Sequence, residues 1–225
     1  MKRMLAFLLV LFLFPISSYA ANYCDCPDAE THAARQEAFD RVLYGHQAMG
    51  ASIAIIKDGR IVDTFQYGRA NRADNTPVTS ETHFRIASVS KMVSAIGALQ
   101  LVERGELELD GDIAEIFEFD IRNPYYPDTP ITLRQIMSHT ATFSDEYHYT
   151  RATHGEITAL RYVLDGNYVK NNFLKRKPGT AVAYSNFGGG MLGSIIEQMS
   201  GYTIDGYMQR YVFNPLGISA GYHTP

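Results

Sequence analysis

Apolar positions recur at three- and four-residue steps between Glu30 and Tyr44, through Ala34, Ala38 and Val42, and predict a helix that packs on a sheet. The next pattern is different. Ala51 to Lys57 is rich in β-branched residues, Asp58-Gly59 is a two-residue hairpin signal, and Arg60 to Tyr67 alternates as a return strand. Two strands alone are marginal in water, so this hairpin is expected to join further strands or to lie against helices. From Thr82 onward the pattern turns helical. Val89, Met92, Val93, Ile96, Leu99 and Val102 form a continuous stripe that stops at Gly105, a residue suited to ending a helix, and a buried helix is expected there. Thr132 can cap a short helix through Met137, and Glu156 to Leu164 reads as another. Met191 to Met199 follows a glycine run, and Thr203 can cap a last helix before Asn214-Pro215. The chain carries no internal repeat, charge block or low-complexity tract.

Composition supports an ordinary globular body: 46% of the 225 residues are hydrophobic and 20% charged, enough apolar material for a sizeable core and too much for a disordered chain. The first 20 residues read as a secretory signal peptide. Lys2 and Arg3 give the positive start, Leu5 to Phe14 the apolar run, and Ser18-Tyr19-Ala20 the small-x-small cleavage site. The apolar run is short for a membrane span. An exported protein, periplasmic or secreted, is therefore expected. Cleavage removes two positive charges and no negative ones, taking the net charge from −4 to −6, which argues against a nucleic-acid partner. The two cysteines, Cys24 and Cys26, stand beside the new N-terminus and are too few and too close for a disulfide framework. Asn22-Tyr23 stand before Cys24, where a lipid-anchored cysteine would need small and aliphatic residues. An intermolecular disulfide and a plain exposed tail both remain open.

Candidate chemistry begins at Ser88-Val89-Ser90-Lys91, which opens the long apolar helix. Residues three apart share a helix face, so the Lys91 amine falls beside the Ser88 hydroxyl. A serine hydroxyl is a weak nucleophile near neutral pH unless a base within hydrogen-bond reach takes its proton. Tyr184-Ser185-Asn186, between a Pro-Gly turn and the glycine run, supplies a phenol of the right type. Taken singly these residues have plain readings: Ser88 as a helix cap, Lys91 as a solvated first-turn residue, Tyr184 as a packing aromatic, Asn186 as a turn residue. Their joint placement favours a shared, desolvated pocket holding the tips of Ser88, Lys91 and Tyr184. Glu146, His148 and His154 do not reproduce a metal-ligand spacing, so neither metal nor cofactor is implied. Gly188-Gly189-Gly190 with Gly193 lacks the Lys-Ser/Thr of a phosphate loop and is expected to let a helix start pack closely behind the site. Tyr125, Tyr126, Tyr147 and Tyr149 are candidate cleft-lining residues.

From about Gly50 to Tyr222 the chain resembles the penicillin-recognising serine hydrolases, in the branch of class C β-lactamases, D-alanyl-D-alanine carboxypeptidases and related esterases. Four stretches carry the likeness: Phe84 to Lys91; Leu101 to Leu107 with Leu109-Asp110; Ile131 to Thr140; and Pro178-Gly179-Thr180 through Tyr184-Ser185-Asn186 to Pro215-Leu216-Gly217. The resemblance implies a β-lactamase/transpeptidase-like fold, α/β plus all-α. Residues 21–80 would be the helix and hairpin of the α/β domain, and residues 81–225 the mainly helical domain. It implies Ser88 as acylated nucleophile, Lys91 as its proton partner, Tyr184 as second base and donor to the leaving group, and Asn186 as a group orienting the substrate amide. It also makes the His139-Thr140 segment structural. Which of Lys91 and Tyr184 takes the serine proton stays open. The expected substrate is a β-lactam, a D-Ala peptide of peptidoglycan type or an ester.

The third motif of such enzymes, a three-residue strand signature of Lys or His, then Thr, Ser or another residue, then Gly, has no counterpart here. His223-Thr224-Pro225 has proline in place of the glycine and follows directly on the helical region. The C-terminal strands of the sheet are thus expected to be missing from this chain. Loss of the second oxyanion donor would lower the rate by about 10²–10³, and the hairpin would keep an open edge and an uncovered apolar face. A complementing chain or oligomer is expected to complete the sheet. The alternative is a catalytically silent binding module, or a remnant of the family.

Overall fold

The computed structural model describes residues 28–117, 119–145 and 172–222. Outside them lie the expected signal segment, both cysteines, the helix expected over Glu156 to Leu164, the stretch holding Glu146, Tyr147, His148, Tyr149 and His154, and His223-Thr224-Pro225. The chain divides into two compact units, Met1–Phe84 and Arg85–Pro225.

In the first unit, α1 (Ala29–Gly45) starts where the Asp28 carboxylate accepts from the Thr31 amide. It is followed by β1 (Gly50–Lys57) and β2 (Arg60–Gly68), an antiparallel pair. Asp58 and Gly59 take φ of 51° and 73°, the positive values a type I′ turn requires of both central residues. Beyond the turn the register slips between Ile55 and Ile56, a bulge that twists the ribbon locally. As expected, α1 packs on the hairpin. His32 stacks on Phe65 at 5.0 Å and Phe39 tilts against the same ring at 4.9 Å. Asp63 is buried on that face, where an unpaired carboxylate would be costly. His32 Nδ1 at 2.7 Å and Arg35 Nη1 at 3.2 Å partner it. Burial works to raise the Asp63 pKa, and these partners outweigh it and hold it below the ordinary value.

Among the described residues of the second unit the regular elements are helices, joined by long loops that carry two isolated β-bridges, Asp112 with Thr132 and Phe143 with Phe173. The unit comprises α2 (Val89–Glu103), a 3₁₀ turn (Ile113–Glu115), α3 (Leu133–Met137), α4 (Asn186–Ser200) and α5 (Ile204–Met208). A π-helical turn (Gln209–Phe213) then leads into α6 (Asn214–Leu216), so the last helix runs on past the expected stop. Thr132 and Gln135 form a reciprocal capping box on α3, and Thr203 caps α5 by accepting from the Gly206 amide. Leu101, Ile131, Leu133, Ile136, Ile195 and Ile196 lie in the core between these helices.

One expectation is corrected here. Most of the large apolar stripe of α2 is not its buried face: Val89, Met92, Ile96 and Leu99 are 42–63% exposed, while Val93 and Val102 pack half-buried against the core. The buried residues are Ser94, Gly97, Ala98 and Leu101, a second stripe with the same helical spacing but smaller side chains. The reason is close approach. A Cβ on Gly97 would stand 2.7 Å from Met208 Sδ and 3.3 Å from the Tyr207 ring, so α2 meets its neighbours through the face that lets backbones come nearest. The helix from Met191 also begins earlier than expected, at Asn186, which places the glycine run inside its first turns.

Candidate active site

Ser88 sits at the start of α2 with no cap bond from its side chain, so the plain reading of this serine as a helix cap does not hold. Ala87 before it takes φ of 45°, a left-handed value unusual for a residue with a Cβ. The turn is tied by the Val89 and Ser90 amides, which donate to the Ile86 and Ala87 carbonyls at 3.0 and 3.1 Å. With its capping role unused, the Ser88 hydroxyl meets two other groups. Tyr184 Oη lies 2.7 Å from Ser88 Oγ, and Lys91 Nζ lies 3.2 Å from it.

Lys91 is the centre of the cluster. Its amine donates to Ser88 Oγ, to Tyr184 Oη at 2.7 Å and to Asn186 Oδ1 at 2.8 Å, and it stands 4.9 Å from the centre of the Tyr184 ring. Three acceptors match the three hydrogens of an ammonium group. Its stem runs along Gly189, where a Cβ would come 2.5 Å from Lys91 Cε. The glycine run therefore does what was expected of it and lets α4 start against the lysine. Hydrogen bonds from Lys91, and next from Ser88, lower the Tyr184 pKa and favour its phenolate.

Tyr184 is held by the segment after α3. The Ala183 amide donates to the His139 carbonyl at 2.7 Å, and the Ser185 amide donates to His139 Nδ1 at 3.3 Å. The imidazole packs on the Tyr184 ring at 4.6 Å between centroids. A ring whose Nδ1 accepts is neutral with its proton on Nε2. Burial lowers the His139 pKa, the Lys91 charge lowers it further, and Asp145 pulls the other way. His139 thus touches the phenol rather than the serine hydroxyl, as the structural reading of the His-Thr segment requires.

Asp145 was not singled out from the sequence. Its Oδ2 accepts from the Asn186 amide N–H at 2.7 Å and from Asn186 Nδ2 at 2.9 Å; its Oδ1 accepts from the Phe187 amide at 2.9 Å and the Ser185 hydroxyl at 2.8 Å. Burial works to raise its pKa, and the bonds from Phe187 and Asn186 outweigh that and keep it ionised. A lone aspartate six residues past His139 has no periodic or motif signal, so only the folded chain brings it to the start of α4.

All four sequence-derived candidates, Ser88, Lys91, Tyr184 and Asn186, are therefore brought together. The pocket expected around them is not desolvated. Ser88 is exposed and Tyr184 is 55% exposed. Lys91 is half-buried, and beside it lies a hollow of about 310 Å³ lined by Met92, Ala95, Ile136, Met137 and Leu192 together with His139 and Gly189.

A helix-borne Ser-x-x-Lys facing a Tyr-x-Asn loop within this helical unit has the fold of β-lactamases and penicillin-binding proteins. The beta-lactamase family model matches residues 34–225, and the chain belongs to that family. It is 28% identical over 195 residues to penicillin-binding protein 4 of Amycolatopsis lactamdurans, covering 86% of this chain and 50% of that protein. Against the D-alanyl-D-alanine-carboxypeptidase/endopeptidase AmpH of Escherichia coli K12 it is 26% identical over 226 residues, covering 100% and 58%. The octameric penicillin-binding protein homologue from Pyrococcus abyssi superposes with a TM-score of 0.66 at 26% identity, over 82% of this chain and 43% of that one. The chain spans about half the length of the curated relatives it matches.

Proposed function

We propose that this chain carries the nucleophile and proton-transfer groups of an exported serine acyl-hydrolase. The observation that supports this most directly is the contact of Ser88 Oγ with Tyr184 Oη at 2.7 Å and with Lys91 Nζ at 3.2 Å. In the reaction, Tyr184 acts as phenolate beside the Lys91 ammonium. The Ser88 proton passes to Tyr184 as Oγ bonds to the substrate carbonyl carbon, and the carbonyl electron pair moves onto oxygen. The Ser88 backbone N–H provides one donor for that oxyanion. Collapse breaks the bond to the leaving nitrogen or oxygen, which takes the proton from Tyr184 and departs, leaving an ester on Ser88. Water then attacks the ester through the same groups in reverse, regenerating the serine.

The substrate class in this reading is a β-lactam or a peptide ending in D-Ala-D-Ala. The support is the likeness to two relatives, one a penicillin-binding protein and one a D-alanyl-D-alanine-carboxypeptidase/endopeptidase. Simple esters are a further class that the same groups would acylate from. Export rests on the signal-like first 20 residues. A partner chain or a second copy that adds strands to the β1–β2 hairpin belongs to the same proposal.

The test is covalent labelling of the full chain. A fluorescent penicillin and a fluorophosphonate are each incubated with folded protein, and the adduct is located by peptide mass spectrometry. Label on Ser88, absent in Ser88→Ala, is the expected result; a folded chain that takes up neither probe overturns the proposal. The exposure of Ser88 and Tyr184 favours a second reading, a silent binding module. In that case penicillin binding, measured by calorimetry, would be unchanged in Ser88→Ala and no adduct would form.

A further inference from the structure

Asp145 has no part in the acyl-transfer scheme, yet four donors at the start of α4 converge on it. Its segment is itself tightly held. Asn123 is fully buried and donates from Nδ2 to Thr142 Oγ1 at 2.8 Å, to the Leu174 carbonyl at 2.9 Å and to the Arg176 carbonyl at 3.1 Å. The Ser144 amide donates to the Asn172 carbonyl at 2.9 Å, and the Leu174 amide to the Thr142 carbonyl at 2.8 Å. Phe143 is buried against Phe173 and Phe187, at 5.1 and 5.3 Å between ring centres. The carboxylate is thus delivered by a rigid strap to the start of the helix that follows Tyr184.

What it does there follows from hydrogen-bond chemistry. An ionised carboxylate only accepts, so the group of Asn186 that faces Asp145 must be its NH₂. A planar side-chain amide that turns its nitrogen one way turns its oxygen the other, and Asn186 Oδ1 is what meets Lys91 Nζ at 2.8 Å. With the amide reversed, NH₂ would face the lysine amine, donor against donor, and a carbonyl oxygen would face a carboxylate. Both contacts would repel.

We propose that Asp145 is a positioning residue: its carboxylate locks the Asn186 amide with its oxygen toward Lys91, and so fixes the lysine amine between Asn186, Tyr184 and Ser88. The consequence for acylation rests on the function proposed above; the lock itself does not. Groups with charge or titration facing Tyr184 are Lys91, His139 and Asp145.

The test follows the Tyr184 phenol by ¹³C NMR across a pH titration, its signal assigned by its loss in Tyr184→Phe. The Asp145 charge on its own raises the Tyr184 pKa, so if charge were its sole action, Asp145→Asn would move the midpoint down. If it acts through Asn186 and Lys91, the variant weakens the Lys91 to Tyr184 bond and the midpoint moves up. An upward shift that vanishes when Asn186→Leu is already present supports the lock. A downward shift, no shift, or an upward shift that persists in Asn186→Leu overturns it. Should Asp145→Asn fail to fold, the wild-type chain decides: the Asn186 side-chain amide should exchange with solvent at least about tenfold more slowly than a free asparagine amide, and exchange at the free rate overturns the lock. Penicillin labelling of Ser88 adds a second arm, with an expected tenfold slower rate in Asp145→Asn. A chain that takes no label at all refutes the proposed function, while the titration still decides on Asp145.

Discussion

Gly189 and Lys91 pack so closely that the glycine hydrogen occupies the place a methyl group would need, 2.5 Å from Lys91 Cε and 2.9 Å from Cδ. The lysine stem therefore has a fixed path from α2 to the phenol. Gly189→Ala should displace the amine, slowing Ser88 acylation at least tenfold. The crowded atoms are the outer part of a flexible side chain, so the stem yields at little cost to stability, and the roughly 1 kcal/mol helix preference of alanine over glycine should keep the fold as stable as the wild type. Labelling kinetics beside a denaturant titration separates the two effects, and an unchanged labelling rate would show that the stem has room.

The Tyr184 phenolate owes its favour first to Lys91 and then to Ser88. Lys91→Met should move the Tyr184 ionisation toward higher pH, read by ultraviolet difference titration against Tyr184→Phe. The labelling rate should fall by about 10²–10⁴, the range typical of a lost proton-transfer partner. Over the range below the Tyr184 pKa, the wild-type rate should rise with pH as the phenolate forms.

Acid sensitivity has two separable windows. His139 is harder to protonate folded than unfolded, mainly because it is buried, so below its ordinary value of 6.5 the unfolded chain binds the extra proton first. Stability should decline from that point downward until the folded group also titrates. Asp145 is neutralised by a proton where His139 becomes charged, and the consequence is the same at lower pH, since its pKa lies below the ordinary 3.8. Its contribution is present above that value and is lost as pH falls through the folded pKa. His139→Gln should flatten the upper window and leave the lower one; thermal melts across the pH range check this.

The two faces of α2 should respond to substitution in opposite ways. Gly97→Leu pushes atoms into Met208, Tyr207 and Ile196 and should destabilise by about 1–3 kcal/mol or prevent folding. Met92→Gln, on the face that is 63% exposed at that residue, should stay within about 0.5 kcal/mol. Urea midpoints would settle the contrast.

These two faces also show what the sequence could and could not convey. The hairpin was legible because Asp58-Gly59 states its own backbone requirement, the run before it is rich in β-branched residues and the run after it alternates. The caps at Thr132 and Thr203 were legible because a capping side chain bonds within three residues. On α2, two stripes share one helical spacing, and apolar size marked the wrong one: which face is buried depends on how near Met208 and Tyr207 come to Gly97, a tertiary fact. Ser88 and Lys91 were readable as a pair because one helix turn joins them. Their meeting with Tyr184 was suggested by joint placement and given roles by the resemblance, and Asp145 carried no local signal, since its partners lie some 40 residues on.

The nucleophile and the phenol ride on different supports, Ser88 at the head of α2 and Tyr184 at the head of α4; Gly189 lets α4 close on the Lys91 stem, and Gly97 lets α2 close on α5. The cluster is in effect a caliper whose jaws are two helix starts. Anything that eases the helices apart, whether a bulkier side chain at position 97, heat or a bound partner, would open the distance between hydroxyl and phenol before it unfolded either helix. Chemical reactivity at Ser88 should consequently fade earlier on heating than helical circular dichroism does.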